Sequence, residues 1–301
     1  MAETAIWAEL LFEFEGRKRL CCKKLHCNST MHGSPSGFVD LAAWRVHIRS
    51  MSFDISAILD EWDYQPGQVV VRKFKGLDGT EKIQLRVDLG VLQMNAEGRP
   101  DGKRPFGHES LLEHYMAQLK KHQTANGGDD ETFELSAEDC AKIQQEAIQY
   151  HHRYICLFQL EDFDAVIRDT ERNLEMLDFV EEYATSDDLS WSLQQFRPQV
   201  LMMRIRANGA VALQQNDFKV VIRLVEEGLD EIRSFYNEHE RLDLLEQSGE
   251  LHSLELWLRE IEEKRPLSPR EKLESDLDEA VRNEDYERAA KVRDALKNLK
   301  I

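Results

Sequence analysis

Cys21, Cys22, His26 and Cys27 are the residue types of a zinc site gathered in one short run. Thiolate and imidazole at that density would suit a tetrahedral ion. Adjacent cysteines, however, lack the two-residue spacer that turns both sulfurs toward one metal, so no metal centre is expected there. His114 and the pair His151-His152 raise the same question, but no His-Glu-x-x-His spacing accompanies them, and they are read as partly buried polar residues on amphipathic helices. Residues 76–82 come nearest to a phosphate-cradling loop and lack its Lys-Ser or Lys-Thr ending, which excludes an ATPase of that type. No Gly-x-Ser-x-Gly elbow presents a nucleophile. Clustered Asp and Glu on helices mark a solvated face. The reading is a non-enzyme with no catalytic residue, metal or cofactor.

One loop, Gly98-Arg99-Pro100-Asp101-Gly102-Lys103-Arg104-Pro105, gathers three cations among turn residues. It could hold an anion or an acidic peptide. The preferred reading is a solvated loop shaped by Pro and Gly.

Charge is distributed unevenly. The chain carries a net charge of −18, and residues 129–264 hold 13 basic against 32 acidic side chains, nearly all of the excess. Phosphate backbones are repelled by such a region, which disfavours direct nucleic-acid binding. Five cysteines, an odd number, argue against a disulfide framework and for a reducing cytoplasm. No apolar run reaches the eighteen residues of a membrane span. The apolar start is broken by Glu9, Glu13 and Glu15, and its cations Arg17, Lys18 and Arg19 follow it, the reverse of a secretory signal. A soluble, cytoplasmic protein is expected.

The fold class expected is α+β, mostly α, in four parts. Residues 1–50 lack periodicity and are read as disordered or as a mis-assigned leader, with Met51 or Met31 as the natural start. Residues 51–125 form a small β-containing module with a following helix. Val69 to Phe74 and Ile83 to Leu89 pair as a hairpin around an Asp-Gly turn, Val91 to Met94 continue the sheet, and Ile83, Leu85, Val87 and Leu89 oppose Gln84, Arg86 and Asp88. Two strands are marginal, so a third strand or the helix around residues 109–121 must cover the apolar face. Residues 132–264 form an acidic helical-repeat domain. Asp162-Phe163, Val166-Ile167-Arg168 and Leu174 recur as Asp217-Phe218, Val221-Ile222-Arg223 and Leu229, an offset of 55 residues. Residues 206–229 are similar to a tetratricopeptide unit, with small residues permitting close helix packing, although that family's period is shorter. A helical hairpin without repeat ancestry reads almost the same. The stripe Leu242, Leu245, Leu251, Leu254, Trp257, Leu258 and Ile261 is read as core.

Residues 268–301 close the chain as a helical hairpin. Ser268-Pro269-Arg270-Glu271 combines an N-cap serine, a proline at the first helical position and a capping-box glutamate. Leu273, Leu277, Ala280 and Val281 recur at helical spacing, Asn283-Glu284-Asp285 interrupts them, and Tyr286, Ala289, Val292, Leu296 and Leu299 resume. So few large apolar side chains cannot offset the ordering of such a segment, which must therefore dock on something.

Asp285-Tyr286-Glu287-Arg288-Ala289-Ala290-Lys291-Val292-Arg293-Asp294, with Leu273, Leu277, Ala280 and Asn283 ahead and Leu296 and Leu299 behind, resembles the UVR motif, named for the excision-repair proteins UvrB and UvrC. It departs from the family at Tyr286 for phenylalanine, Val281 for alanine, and Glu284 where the family is often apolar. The resemblance implies a bacterial-type protein whose hairpin docks on another copy or another partner and has no catalytic residue. The UVR-bearing activators of protein arginine kinases carry paired C-x2-C ligands that are absent here. UvrB's ATPase and UvrC's nuclease domains have no counterpart either. Residues 51 to about 115 are also similar to the N-terminal region of uncharacterised bacterial UVR-motif proteins.

The expected function is a protein–protein interaction adaptor or scaffold. Its docking residues are Leu273, Leu277, Val281, Asp285, Tyr286, Arg288, Ala289, Ala290, Val292, Arg293, Asp294 and Leu296. Tyr286, Ala289, Val292 and Leu296 would bury against a partner hairpin, and Arg288, Arg293 and Asp294 would set register at the rim. The partner would be another protein, UVR-bearing or not, or a second copy in a homodimer. Two alternatives stay open: an accessory factor of nucleotide excision repair or of a Clp-type stress protease, and a self-associating structural protein.

Overall fold

The computed structural model describes residues 54–299. The expectations for residues 1–50, including the Cys21, Cys22, His26 and Cys27 cluster, lie outside the described residues. The described residues divide into two compact units, with the boundary between Glu109 and Ser110.

In the first unit a short helix α1 (Ser56–Asp60) precedes three strands, β1 (Val70–Lys75), β2 (Glu81–Val87) and β3 (Gly90–Asn95), antiparallel in the order β1-β2-β3. The β1–β2 turn is the Asp-Gly turn that the sequence marks. Asp78 Oδ1 accepts the Thr80 hydroxyl (2.7 Å) and the Thr80 N–H (3.1 Å). The Thr80 hydroxyl, with Lys82 adding to it, lowers the Asp78 carboxyl to about 2. Gly79 has φ +80°, the left-handed region open to glycine. Register sets Val71 opposite Leu85 and Leu85 opposite Leu92. The expected alternation holds for Ile83, Leu85 and Val87 and differs at two points: β2 ends at Val87, so Leu89 falls in the turn to β3 and is exposed instead of joining the apolar face, and the polar face is covered. Gln84 and Arg86 on the polar face are buried, and of that trio only Asp88 is exposed. Arg72 Nε donates to Gln84 Oε1 (2.7 Å) and Gln84 Nε2 to Gln93 Oε1 (2.7 Å), while Arg86 Nη1 donates to the carbonyls of Asp88 (3.0 Å) and Gly90 (3.3 Å). The Trp62 ring lies 4.0 Å from the Arg72 guanidinium and the Tyr64 ring 4.9 Å from that of Arg86. Guanidinium planes stack on aromatic rings, so this polar face is covered without becoming apolar.

The second unit begins at α2 (Leu111–Ala125). Ser110 caps it by accepting the Glu113 N–H (3.1 Å). Contacts tie α2 to α3 (Ala137–Gln159): Leu111 N–H donates to the Glu146 carboxylate (2.8 Å) and the Tyr115 hydroxyl to Asp139 (2.6 Å). The remaining elements are α4 (Phe163–Tyr183), α5 (Asp187–Gln194), α6 (Arg197–Gln214), α7 (Phe218–Glu238), the single turn α8 (Leu242–Leu245), α9 (Gly249–Lys264), α10 (Pro269–Arg282) and α11 (Tyr286–Asn298). Packing runs in chain order, α3 on α4, α4 on α6, α6 on α7 and α7 on α9.

The 55-residue offset is a repeat of one turn. Glu161 and Asn216 take left-handed φ of 59° and 58°, and the N–H groups of Asp162 and Asp217 donate back to Leu157 O and Ala212 O, both at 3.0 Å. The aromatic that follows each Asp begins the second helix. Small residues then allow the helices to close. A Cβ on Gly228 would stand 2.6 Å from Ile205 Cγ1, and one on Gly209 2.5 Å from Trp257 Cη2.

Between α3 and α4 the core is ionic. Arg153 is bidentate to Asp169 (Nε–Oδ2 2.6 Å, Nη2–Oδ1 2.8 Å), and each side chain is 1% exposed. Arg172 binds the fully buried Glu146 and lies 4.2 Å from the Tyr150 ring.

Candidate protein-docking hairpin

The start of α10 forms as its residue types dictate. Ser268 Oγ accepts the Glu271 N–H (3.2 Å), Glu271 Oε2 accepts the Ser268 N–H (2.8 Å), and Pro269 occupies the first helical position. Arg265, just ahead of the cap, donates to Glu271 through both Nη atoms (2.5 and 3.2 Å). That side-chain bond first, and the Ser268 backbone next, hold the Glu271 carboxyl down at about 2.

The turn into α11 repeats the geometry of the two larger hairpins. Glu284 has φ 57°, Asp285 N–H donates to Ala280 O (2.8 Å), and Asp285 Oδ1 caps α11 by accepting the Arg288 N–H (3.0 Å). An exposed left-handed turn residue asks for no apolar side chain, so Glu284, one of the three departures from the family pattern, is at no cost to packing.

α10 and α11 pack on each other, and neither makes more than marginal contact with α2 to α9. Ala280 and Ala289 are the buried residues of the pair. Two methyl side chains let the helix axes approach closely. Leu273, Leu277, Ala290, Val292 and Leu296 are half-buried, whereas Val281 is 52% and Tyr286 70% exposed, one on each side of the turn. Arg288 reaches back to Asp276 (3.4 Å) and Glu279 (3.3 Å) of its own hairpin, and Arg293 meets the neighbouring Asp294 (3.4 Å). These pairs are exposed and individually weak.

Residues 269–301 match the UvrB/uvrC motif family. The match covers this UVR hairpin and none of the rest of the chain. No curated protein matches the chain, and no solved structure does. UVR motifs mediate protein–protein contacts and occur in DNA-repair and Clp-associated proteins.

The structure brings the expected docking residues into one hairpin and divides them. Ala289 is taken up inside it, Asp285 serves as a cap and Arg288 as a bridge between its two helices. Val281 and Tyr286 are the large apolar side chains left in solvent near the turn. Two contributors were not among the expected residues: Ala280, whose signal is a small residue at the end of an apolar stripe, and the Arg265–Glu271 bridge, which spacing alone does not disclose.

The other candidates resolve locally. In the cationic loop Arg99 pairs with Asp101 (3.5 Å) and Arg104 with Glu109. His151 is buried, its pKa pushed down to about 3 by desolvation, with Nδ1 2.6 Å from the Tyr154 hydroxyl. His114 lies 2.6 Å from Gln118 Nε2. Among the described residues no group of three His, Cys, Asp or Glu side chains is placed to hold a metal ion. No described helix is long and apolar enough to cross a membrane.

Proposed function

We propose that this protein is a non-enzymatic, cytoplasmic adaptor that docks on another protein through its UVR hairpin. One observation carries the reading: a hairpin whose small interior is already filled by Ala280 and Ala289 still holds Val281 and Tyr286 in solvent, and the helical unit does not cover them. Exposed aromatic and β-branched side chains at a rigid turn are suitable anchors for a partner surface. The acidic helical unit would then act as scaffold, with polar character that favours a protein over a nucleic acid.

The double substitution Val281→Ser/Tyr286→Ser tests this, because both side chains are exposed and their loss leaves the hairpin interior intact. Affinity capture with the full chain as bait should recover a partner that the variant loses at unchanged helicity. Equal recovery by both chains rejects the docking role.

The UVR match favours a partner in excision repair or a Clp-type protease, and co-purification after DNA damage or after heat stress separates those two. A second copy is the other partner class. α10 carries five acidic against three basic residues, and α11 four basic against two acidic, so two hairpins could pair reciprocally.

A further inference from the structure

Among the described residues, no strand pairs with the outer edge of β3. Ala96 N–H donates inward to Glu81 O (3.0 Å), so the main-chain groups of Met94 and Leu92 also face β2, while those of Val91, Gln93 and Asn95 face away. The following loop takes up the outward N–H of Asn95, which donates to Pro100 O (2.8 Å). The outward main-chain groups of Val91 and Gln93 have no partner among the described residues.

Two cross-strand rows stop at this edge. On one face Val71, Leu85 and Leu92 stand side by side, and Leu92 is 39% exposed where Leu85 is buried. On the other face the chain of bonds Arg72–Gln84–Gln93 ends at an exposed glutamine. The two edges of the sheet also differ in charge. β1 carries Arg72, Lys73 and Lys75, the kind of residues that keep an edge from pairing with another strand, whereas Gly90 to Asn95 include no charged residue.

We propose that two copies of this chain pair antiparallel through β3, about a two-fold axis at Leu92, to form one continuous six-stranded sheet. In that register Val91 of one copy and Gln93 of the other exchange both N–H···O=C bonds, and symmetry repeats the exchange. Leu92 meets its own counterpart in a non-hydrogen-bonded pair, where facing side chains approach most closely. The apolar row then runs unbroken from Val71 of one copy to Val71 of the other. A second copy is the occupant because the edge is self-complementary and offers no charge with which to select a foreign strand. Equivalent pairing at β1 would set its cations against themselves.

The pairing is independent of the UVR hairpin, and the test silences that hairpin first. The full chain bearing Val281→Ser/Tyr286→Ser should still sediment as a dimer at high concentration. Adding Leu92→Lys should return it to monomer with an unchanged circular dichroism spectrum. Leu77→Lys, on the exposed β1–β2 turn, should leave the dimer intact. If Leu92→Lys perturbs folding, amide exchange at Val91 and Gln93 of the chain without it reads the same contact and should slow as concentration rises. A chain that stays monomeric, or a dimer that survives Leu92→Lys in a folded protein, overturns the proposal. So do Val91 and Gln93 amides that exchange fast at every concentration, and the edge would then be left to a foreign strand.

Discussion

Arg153 and Asp169 form a two-bond ion pair with almost no access to water. Burying such a pair contributes little net stability, but removing one member leaves a charge stranded, at a cost of about 3–5 kcal/mol. Asp169→Asn should therefore lower the urea midpoint sharply, while Arg153→Met/Asp169→Leu should cost much less than the single change. A single change as mild as a surface substitution would show the pair to be solvated. Glu271 is the titrating counterpart at the surface. Its folded pKa of about 2 lies below the ordinary value of 4.5. A depressed carboxyl adds stability above its unfolded pKa and loses it as pH falls toward the folded one. The start of α10 should thus keep its helicity at neutral pH and fray between about pH 4.5 and 2. Carboxyl NMR should find the midpoint near the lower value, and Arg265→Gln should move it up.

At two contacts, α6 with α7 and α6 with α9, helices meet where a side chain is missing. Gly228 lies against Ile205, so Gly228→Ala inserts a methyl into an occupied contact between α6 and α7. Alanine favours a helix by about 1 kcal/mol over glycine, but overpacking costs about 1–3 kcal/mol. The packing loss should win and lower the denaturation midpoint. Gly249, at the first turn of α9 with open space around its Cβ position, is the control, since Gly249→Ala should hold or raise the midpoint. A higher midpoint for Gly228→Ala would mean that α6 and α7 stand farther apart in solution. The same helix–turn–helix device recurs at Glu161, Asn216 and Glu284, which makes the UVR hairpin a smaller relative, in geometry, of the hairpins that build the helical unit. It differs in that no other described helix packs on it by more than a marginal contact.

For the molecule as a whole, charge sets the behaviour that no single contact predicts. The region 129–264 carries 13 basic and 32 acidic residues, and its exposed carboxylates repel one another over distances that salt screens, about 10 Å at 0.1 M. Its melting temperature should rise on going from low to moderate sodium chloride, read by circular dichroism at the helical minimum. A fall would mean that the exposed ion pairs outweigh the repulsion. The two proposals use separate surfaces, an uncharged strand edge in the first unit and an uncovered hairpin in the second.

Local pattern and chemistry determined a good deal. The capping box at Ser268, the Asp-Gly turn at Asp78, the helical hairpins 55 residues apart and the UVR motif are all legible because each is decided by neighbours within a few residues, through hydrogen bonds that the local backbone makes for itself. Tertiary structure alone decided the rest. Gln84 and Arg86 read as solvent-facing by alternation and are buried, Arg86 against the Tyr64 ring and Gln84 beside Arg72, on which the Trp62 ring lies. Ala289 read as a docking residue and is taken up inside its own hairpin, while Tyr286, three residues away, is left outside. Alternation and helical spacing assign a residue to a face. Which faces become covered depends on contacts between segments far apart in the chain, and those are set by the whole fold.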